Sequence, residues 1–170
     1  MSPARIARLV AVTVFLLTAA APSTLAQGLV TKRMISLDMA RTIAQVVVEQ
    51  CRADGFHVSV TVLDSSGMVK AFLRDDGTGP HTIDLSRRKA YTALTFANRW
   101  TSTGAAAADW GTTLMSPMPN VDGTTGVGGG VPIKAGDDTV GAVGVSGAVG
   151  WQRDEACANA GIAKVADQLK

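Results

Sequence analysis

Residues 125–150 read TGVGGGVPIKAGDDTVGAVGVSGAVG, and the reading of this stretch decides the fold. Between Gly126 and Ala148 it holds eight glycines set among β-branched residues. Gly128-Gly129-Gly130 leads into Val131-Pro132-Ile133, Gly136-Asp137-Asp138 supplies turn chemistry, and Thr139 to Val145 resumes an extended run. The whole spells a tight β-hairpin. Glycine weakens a strand, so its repeated use points to a bulge, the close approach of another backbone, or a ligand lying on the sheet.

Upstream of the hairpin the hydrophobic period changes twice. Ser36 is a natural helix N-cap, Asp38 suits the first turn, and Gly55 is a stop. Between them Ala40, Ile43, Ala44, Val47, Val48 and Cys51 recur at helical spacing. From His57 the period is two, with Val58, Val60 and Val62 on one side and His57, Ser59, Thr61 and Leu63 on the other. Asp64-Ser65-Ser66-Gly67 turns the chain, and Met68 to Arg74 returns as an antiparallel partner. Asp75 to Pro80 is a loop; Thr82 then caps a long helix to about Trp100, with His81 just before the cap and Lys89 among polar neighbours. A shorter helix is expected from about Ser102 to Trp110, because Ala105 to Ala108 are strong helix formers. Met115 to Val127 is irregular. Arg153 to Leu169 forms the last helix, with Asp154 and Glu155 in its first turn, where they suit the helix dipole. Helix, two strands, two helices, two strands, helix is the order of an α+β domain: an antiparallel sheet flanked by segregated helices.

The 170 residues suffice for one core, and the ends divide accordingly. Residues 1–26 carry Arg5 and Arg8, then an apolar run from Leu9 to Ala21, then small residues up to Ala26. This is the pattern of a secretory signal peptide, and at about 13 residues the run falls short of the roughly 20 that a spanning helix needs. A linker over 27–35 and a domain over 36–170 follow. Cleavage after Ala26 leaves 14 basic against 14 acidic residues, so the mature chain is near neutral and periplasmic or secreted. No long basic run suggests nucleic acid, and no membrane segment remains after cleavage. Arg87-Arg88-Lys89 sits in a helical pattern and reads first as a solvated face. In an oxidising compartment Cys51 and Cys157 invite a disulfide if the first and last helices run antiparallel on one sheet face; two small buried thiols remain the alternative.

A set of motifs spread over residues 35–170 resembles the GlcG/HbpS-like haem-binding family, whose domain is also found fused to cobalamin adenosyltransferases of the PduO type. The pieces are Val60-Thr61-Val62-Leu63-Asp64 with Gly67, Asp76-Gly77 before Lys89-Ala90-Tyr91-Thr92-Ala93, Gly128 to Ile133, Val140 to Gly147, and Asp154-Glu155-Ala156-Cys157-Ala158-Asn159-Ala160-Gly161. Each is weak alone; their order and spacing are specific. The resemblance implies a profilin-like (GlcG-like) α+β fold, assembly into homo-oligomers and, in several members, haem as cofactor. Some members are described as degrading haem or sensing redox stress.

No fixed haem ligand maps onto this chain, so the ligand is argued from chemistry. Haem iron takes His, Met, Tyr or Cys. His81 is the leading iron ligand, in a Gly-Pro loop at a helix mouth, whereas His57 begins a strand and reads as a packed or surface residue. Arg87, Arg88 or Lys89 and the helix N-terminus after His81 offer partners for propionates, although ordinary exposed helix residues would look the same. Met115 and Met118, near Trp100 and Trp110, are candidates to line an apolar pocket, or simple packing.

Two other readings stay open. One is a binder of a small organic acid, using the glycine-rich hairpin and the helix start after Pro80 as an anion pocket. The other is an oligomeric scaffold whose glycine strands permit close subunit packing. The sequence holds no HExxH, GxxxxGK[ST] or CxxC motif and no Ser-His-Asp order worth pursuing. Asp75-Asp76 and Asp137-Asp138 read as turn residues rather than paired acid–base groups. Haem breakdown, where it occurs, can be the bound cofactor's own chemistry.

Overall fold

The structure, a computed structural model, describes residues 28–98, 101–102 and 121–170. Lys32–Lys170 forms one compact unit; the unit before it, Met1–Thr31, is described only at residues 28–31. The elements are α1 (Leu37–Ala53), β1 (Ser59–Asp64), β2 (Val69–Arg74), α2 (His81–Thr95), β3 (Gly130–Ala135), β4 (Asp138–Ser146) and α3 (Trp151–Lys164), followed by a 3₁₀ turn at Ala166–Gln168. The four strands form one antiparallel sheet in the order β2-β1-β4-β3. This is the α+β architecture expected from the element order, and the profilin-like form of it that the family resemblance implies. The signal segment, the short helix expected from about Ser102 to Trp110 except Ser102 itself, and Trp100, Met115 and Met118 lie outside the described residues.

The boundaries follow local chemistry. Ser36 caps α1, its Oγ accepting the Met39 N–H at 3.2 Å, and Gly55 at φ 83° closes it. Gly55 N–H donates to the Arg52 carbonyl and Phe56 N–H to the Cys51 carbonyl at 2.8 Å, the paired bonds of a Schellman turn. Asp64 Oδ1 accepts the N–H groups of Ser66 and Met68, folding the β1–β2 turn about Gly67 at φ 80°. Thr82 is not the cap of α2. Pro80, with φ −64°, enters the helix already in helical geometry, so α2 begins at His81 and Thr82 lies inside it. The helix ends at Thr95 rather than near Trp100, where Ala97 N–H donates to the Leu94 carbonyl and tightens the final turn.

The sheet is covered on both faces by unlike means. Val60 and Val62 pair with Val145 and Val143, and this side packs against α1 and α3 through Ile43, Val47 and Ala158. Cys51 and Cys157 form a disulfide there, with Cα atoms 5.6 Å apart and a sequence separation of 106. Closing so long a loop contributes on the order of 4 kcal/mol in the chain-entropy account. The opposite side carries Ser59, Thr61, Gly144 and Ser146, and α2 lies on it across β1, β4 and β3. Gly144 faces the Ser86 carbonyl and the Ala90 backbone so closely that a Cβ would overlap both. Close backbone approach, together with a bulge at Ile133/Lys134, accounts for the strand glycines.

Gly144→Ala is therefore expected to lower stability by about 3 kcal/mol, because backbone on α2 must move. Gly77→Ala, at φ 75° but facing open space, should cost about 1 kcal/mol. Urea unfolding of the two variants beside the parent checks the contrast.

Candidate functional site

Helix α2 sorts its side chains by face. Toward the sheet, Thr82 Oγ1 bonds Ser59 Oγ at 2.7 Å and Ser86 Oγ bonds Thr61 Oγ1 at 2.8 Å, so buried hydroxyls satisfy one another. Outward stand the residues singled out from sequence. His81 is exposed, and no described residue hydrogen-bonds its ring. Arg88 Nε meets Asp84 Oδ2 at 2.6 Å and Arg87 Nη2 meets Asp84 Oδ1 at 3.0 Å, so both arginines share one carboxylate. Hydrogen bonding from Arg88, then from Arg87, holds Asp84 below its ordinary range. Arg88 lies two turns, about 10 Å, along the axis from His81.

Lys89 departs from the solvated-face reading. Its side chain is 3% exposed, and Nζ donates to Asp154 Oδ2 at 2.7 Å and to the Val145 carbonyl at 2.9 Å. Lys89 lies three residues after Ser86, on the sheet side, and its stem is long enough to cross to α3. Asp154 also accepts the Ala148 N–H at 3.1 Å, so it is a buried ion-pair partner and more than a dipole complement. Burial pushes its carboxyl above the ordinary range against the pull of Lys89. At Gly129, φ 115°, a Cβ would come within 2.7 Å of Lys89 Nζ, which explains a glycine there.

A second cluster, at the end of the sheet where α1 finishes, was missed from sequence. Asp75 was read as a turn residue. It is instead a carboxylate whose side chain is 1% exposed, gripped by Arg52 through Nε at 2.9 Å and through Nη2. Its Oδ2 also meets His57 Nδ1 at 2.9 Å. The Schellman turn delivers this arrangement by swinging the chain out of α1 so that His57 emerges beside Arg52. Phe56 carries Arg153 of α3 over its ring at 5.0 Å. Arg52 follows Cys51 directly and Arg153 precedes Cys157 by about one helical turn, so the disulfide ties together the helix ends that bear both guanidiniums. The Arg52 bonds hold Asp75 well below the usual carboxylate range. The signal available in sequence was a histidine, an arginine and an aspartate at three element ends, which only the topology unites.

The two histidines occupy the same end of the sheet. His57 lies two residues before Ser59, and Ser59 is bonded to Thr82, the neighbour of His81. Of the hairpin glycines, Gly129 packs against Lys89 and Gly144 against the middle of α2. A separate cleft of about 560 Å³ lies between α1 and β2, lined among others by Asp38, Arg41, Gln45, Lys70, Phe72 and Leu73. Neither histidine borders it.

An antiparallel four-stranded sheet with two disulfide-linked helices on one face and one hydroxyl-bonded helix on the other defines a small α+β domain of profilin-like build. A family model described as "Haem degrading protein HbpS-like" matches residues 35–163. The chain belongs to this HbpS-like family. Protein GlcG of Escherichia coli K12 is 33% identical over 116 residues, covering 68% of this chain and 84% of the relative. The crystal structure of a double mutant of HbpS from Streptomyces reticuli is 35% identical, with a TM-score of 0.72, covering 86% of this chain and 98% of that one. PduOC, solved as a heme complex, shares the fold at a TM-score of 0.66 and 22% identity, covering 76% of this chain and 94% of that one.

Two predictions follow from the charged clusters. Lys89→Met leaves Asp154 buried without its cation and should cost about 3–5 kcal/mol, most of it recovered in the double variant Lys89→Met/Asp154→Leu; urea midpoints of single and double variants test this. For Asp75, the folded-state value is depressed, so its contribution is complete above the ordinary value of 3.8 and fades as pH falls below it. Asp75→Asn should lose about 1–2 kcal/mol at pH 7, toward the lower end because Arg52 is half exposed. That deficit should shrink as denaturation is repeated at acid pH below about 4.

Proposed function

We propose that this domain binds haem and takes its iron on a protein imidazole. The observation that carries the reading is that the chain's two histidines share one end of the sheet with both rings reachable from solvent, in a family whose description names haem. A neutral imidazole is an established axial ligand for haem iron, so the donor set suits the group. The heme complex of PduOC lends support by fold alone. Of the two candidates, His81 would find cations on its own helix in Arg87 and Arg88 only if they released Asp84. When bound, haem would supply redox and ligand-binding chemistry; the protein's part is to hold an imidazole, present cations and exclude water from one face of the ring.

The same proposal includes export, with residues 1–26 as the leader, supported by the disulfide, which persists in oxidising compartments. It also includes self-association, supported by the exposed Met68, Val69 and Phe72 on and beside edge strand β2. Among the described residues no helix is long and apolar enough to cross a membrane.

Haemin titration followed at the Soret band, beside thermal melts with small carboxylic acids, tests the reading. Saturable uptake with a shifted band is expected. Stabilisation by an acid without haemin saturation would replace haem with the small-acid reading, and neither response would leave the scaffold.

A further inference from the structure

We infer that His57, rather than His81, is the imidazole that ligates the iron, with Asp75 as its positioning residue and Arg52 and Arg153 as the cations that meet the propionates. The assignment rests on the haem-binding reading above. Asp75 is ionised and therefore only accepts hydrogen bonds, so the 2.9 Å contact requires the proton on His57 Nδ1. With the proton on Nδ1, the free face of a neutral ring is Nε2, which carries the lone pair that a metal would take. A metal-binding histidine almost always donates its other ring N–H to a carboxylate or carbonyl, which fixes the tautomer and raises the basicity of the ligating nitrogen. His57 has this partner already in place, while its side chain remains 61% exposed.

The surroundings fit an amphipathic dianion. Arg52 spends Nε and Nη2 on Asp75 and keeps Nη1 unpaired among the described residues. Arg153 is exposed above the Phe56 ring at 5.0 Å and pairs with no carboxylate among the described residues. Phe56 supplies apolar surface beneath Arg153 and lies four residues from Arg52. His81 has no hydrogen-bonded holder among the described residues, and both arginines on its helix are already engaged by Asp84.

Haemin is titrated into the protein and into His57→Ala, His81→Ala and Asp75→Asn, with circular dichroism to confirm that each is folded. His57→Ala is expected to lose the shifted Soret band, and added imidazole should restore it in His57→Gly. His81→Ala should bind within about threefold of the parent, and Asp75→Asn about 10–100-fold more weakly with the band position kept. Loss of the band in His81→Ala alone, in both histidine variants, or in neither would overturn the assignment while haem binding stood. Failure of the parent to saturate would overturn the haem reading and the assignment with it.

Discussion

Helix α2 lies so close to the sheet that Gly144 has no room for a side chain beneath Ser86 and Ala90, and the polar half of the molecule is organised around that approach. Around that contact the interface is built from Ser59, Thr61, Thr82 and Ser86, whose hydroxyls pair with one another. Each pair adds only about 1 kcal/mol net, but leaving one member unmatched would cost more than that, which keeps the helix in register. The same closeness brings Lys89 within reach of Asp154 on α3, across the end of β4. The other face is held by aliphatic packing and a covalent link between α1 and α3.

At the histidine end, one buried carboxylate joins three element ends. Asp75 closes β2, receives Arg52 from the last turn of α1, and receives His57 from the approach to β1. Its backbone N–H also donates to the Val58 carbonyl at 2.9 Å. A charge buried this deeply is tolerable because a guanidinium and an imidazole N–H both satisfy it. The imidazole is thereby oriented without being buried, the condition for offering a nitrogen to something outside the protein.

Much of the fold was legible because its signals are local. The spacing from Ala40 to Cys51, the capping by Ser36, the alternation from Val58 to Val62 and the turn residues at Gly67 and Gly136 each act within a few positions. The pairing of Cys51 with Cys157 needed only that α1 and α3 share a face. The site was less legible because its residues are set by contacts between distant segments. Lys89 looked like its neighbours Arg87 and Arg88, yet a shift of one residue around the helix turns it inward. Asp75 and Asp76 looked alike as turn residues, yet one is buried and the other exposed. Nothing in the local sequence tells His57 from an ordinary strand-edge histidine; its partner is 18 residues away and meets it only after β1 and β2 have paired.

The strand order has a further consequence, in time rather than space. The central pairing joins β1 at residues 59–64 to β4 at residues 141–146, while the hairpin formed earliest in synthesis, β1 with β2, exposes one whole edge of β1 until then. The hairpin face that bears Val60 and Val62 is not fully covered before α3 is made, and α3 runs to Lys164. Long-range pairing of this kind slows folding, because chain closure must precede the contacts that reward it. The core is therefore completed only once α3 has been made, and until then the free edge of β1 and part of its Val60/Val62 face stay open.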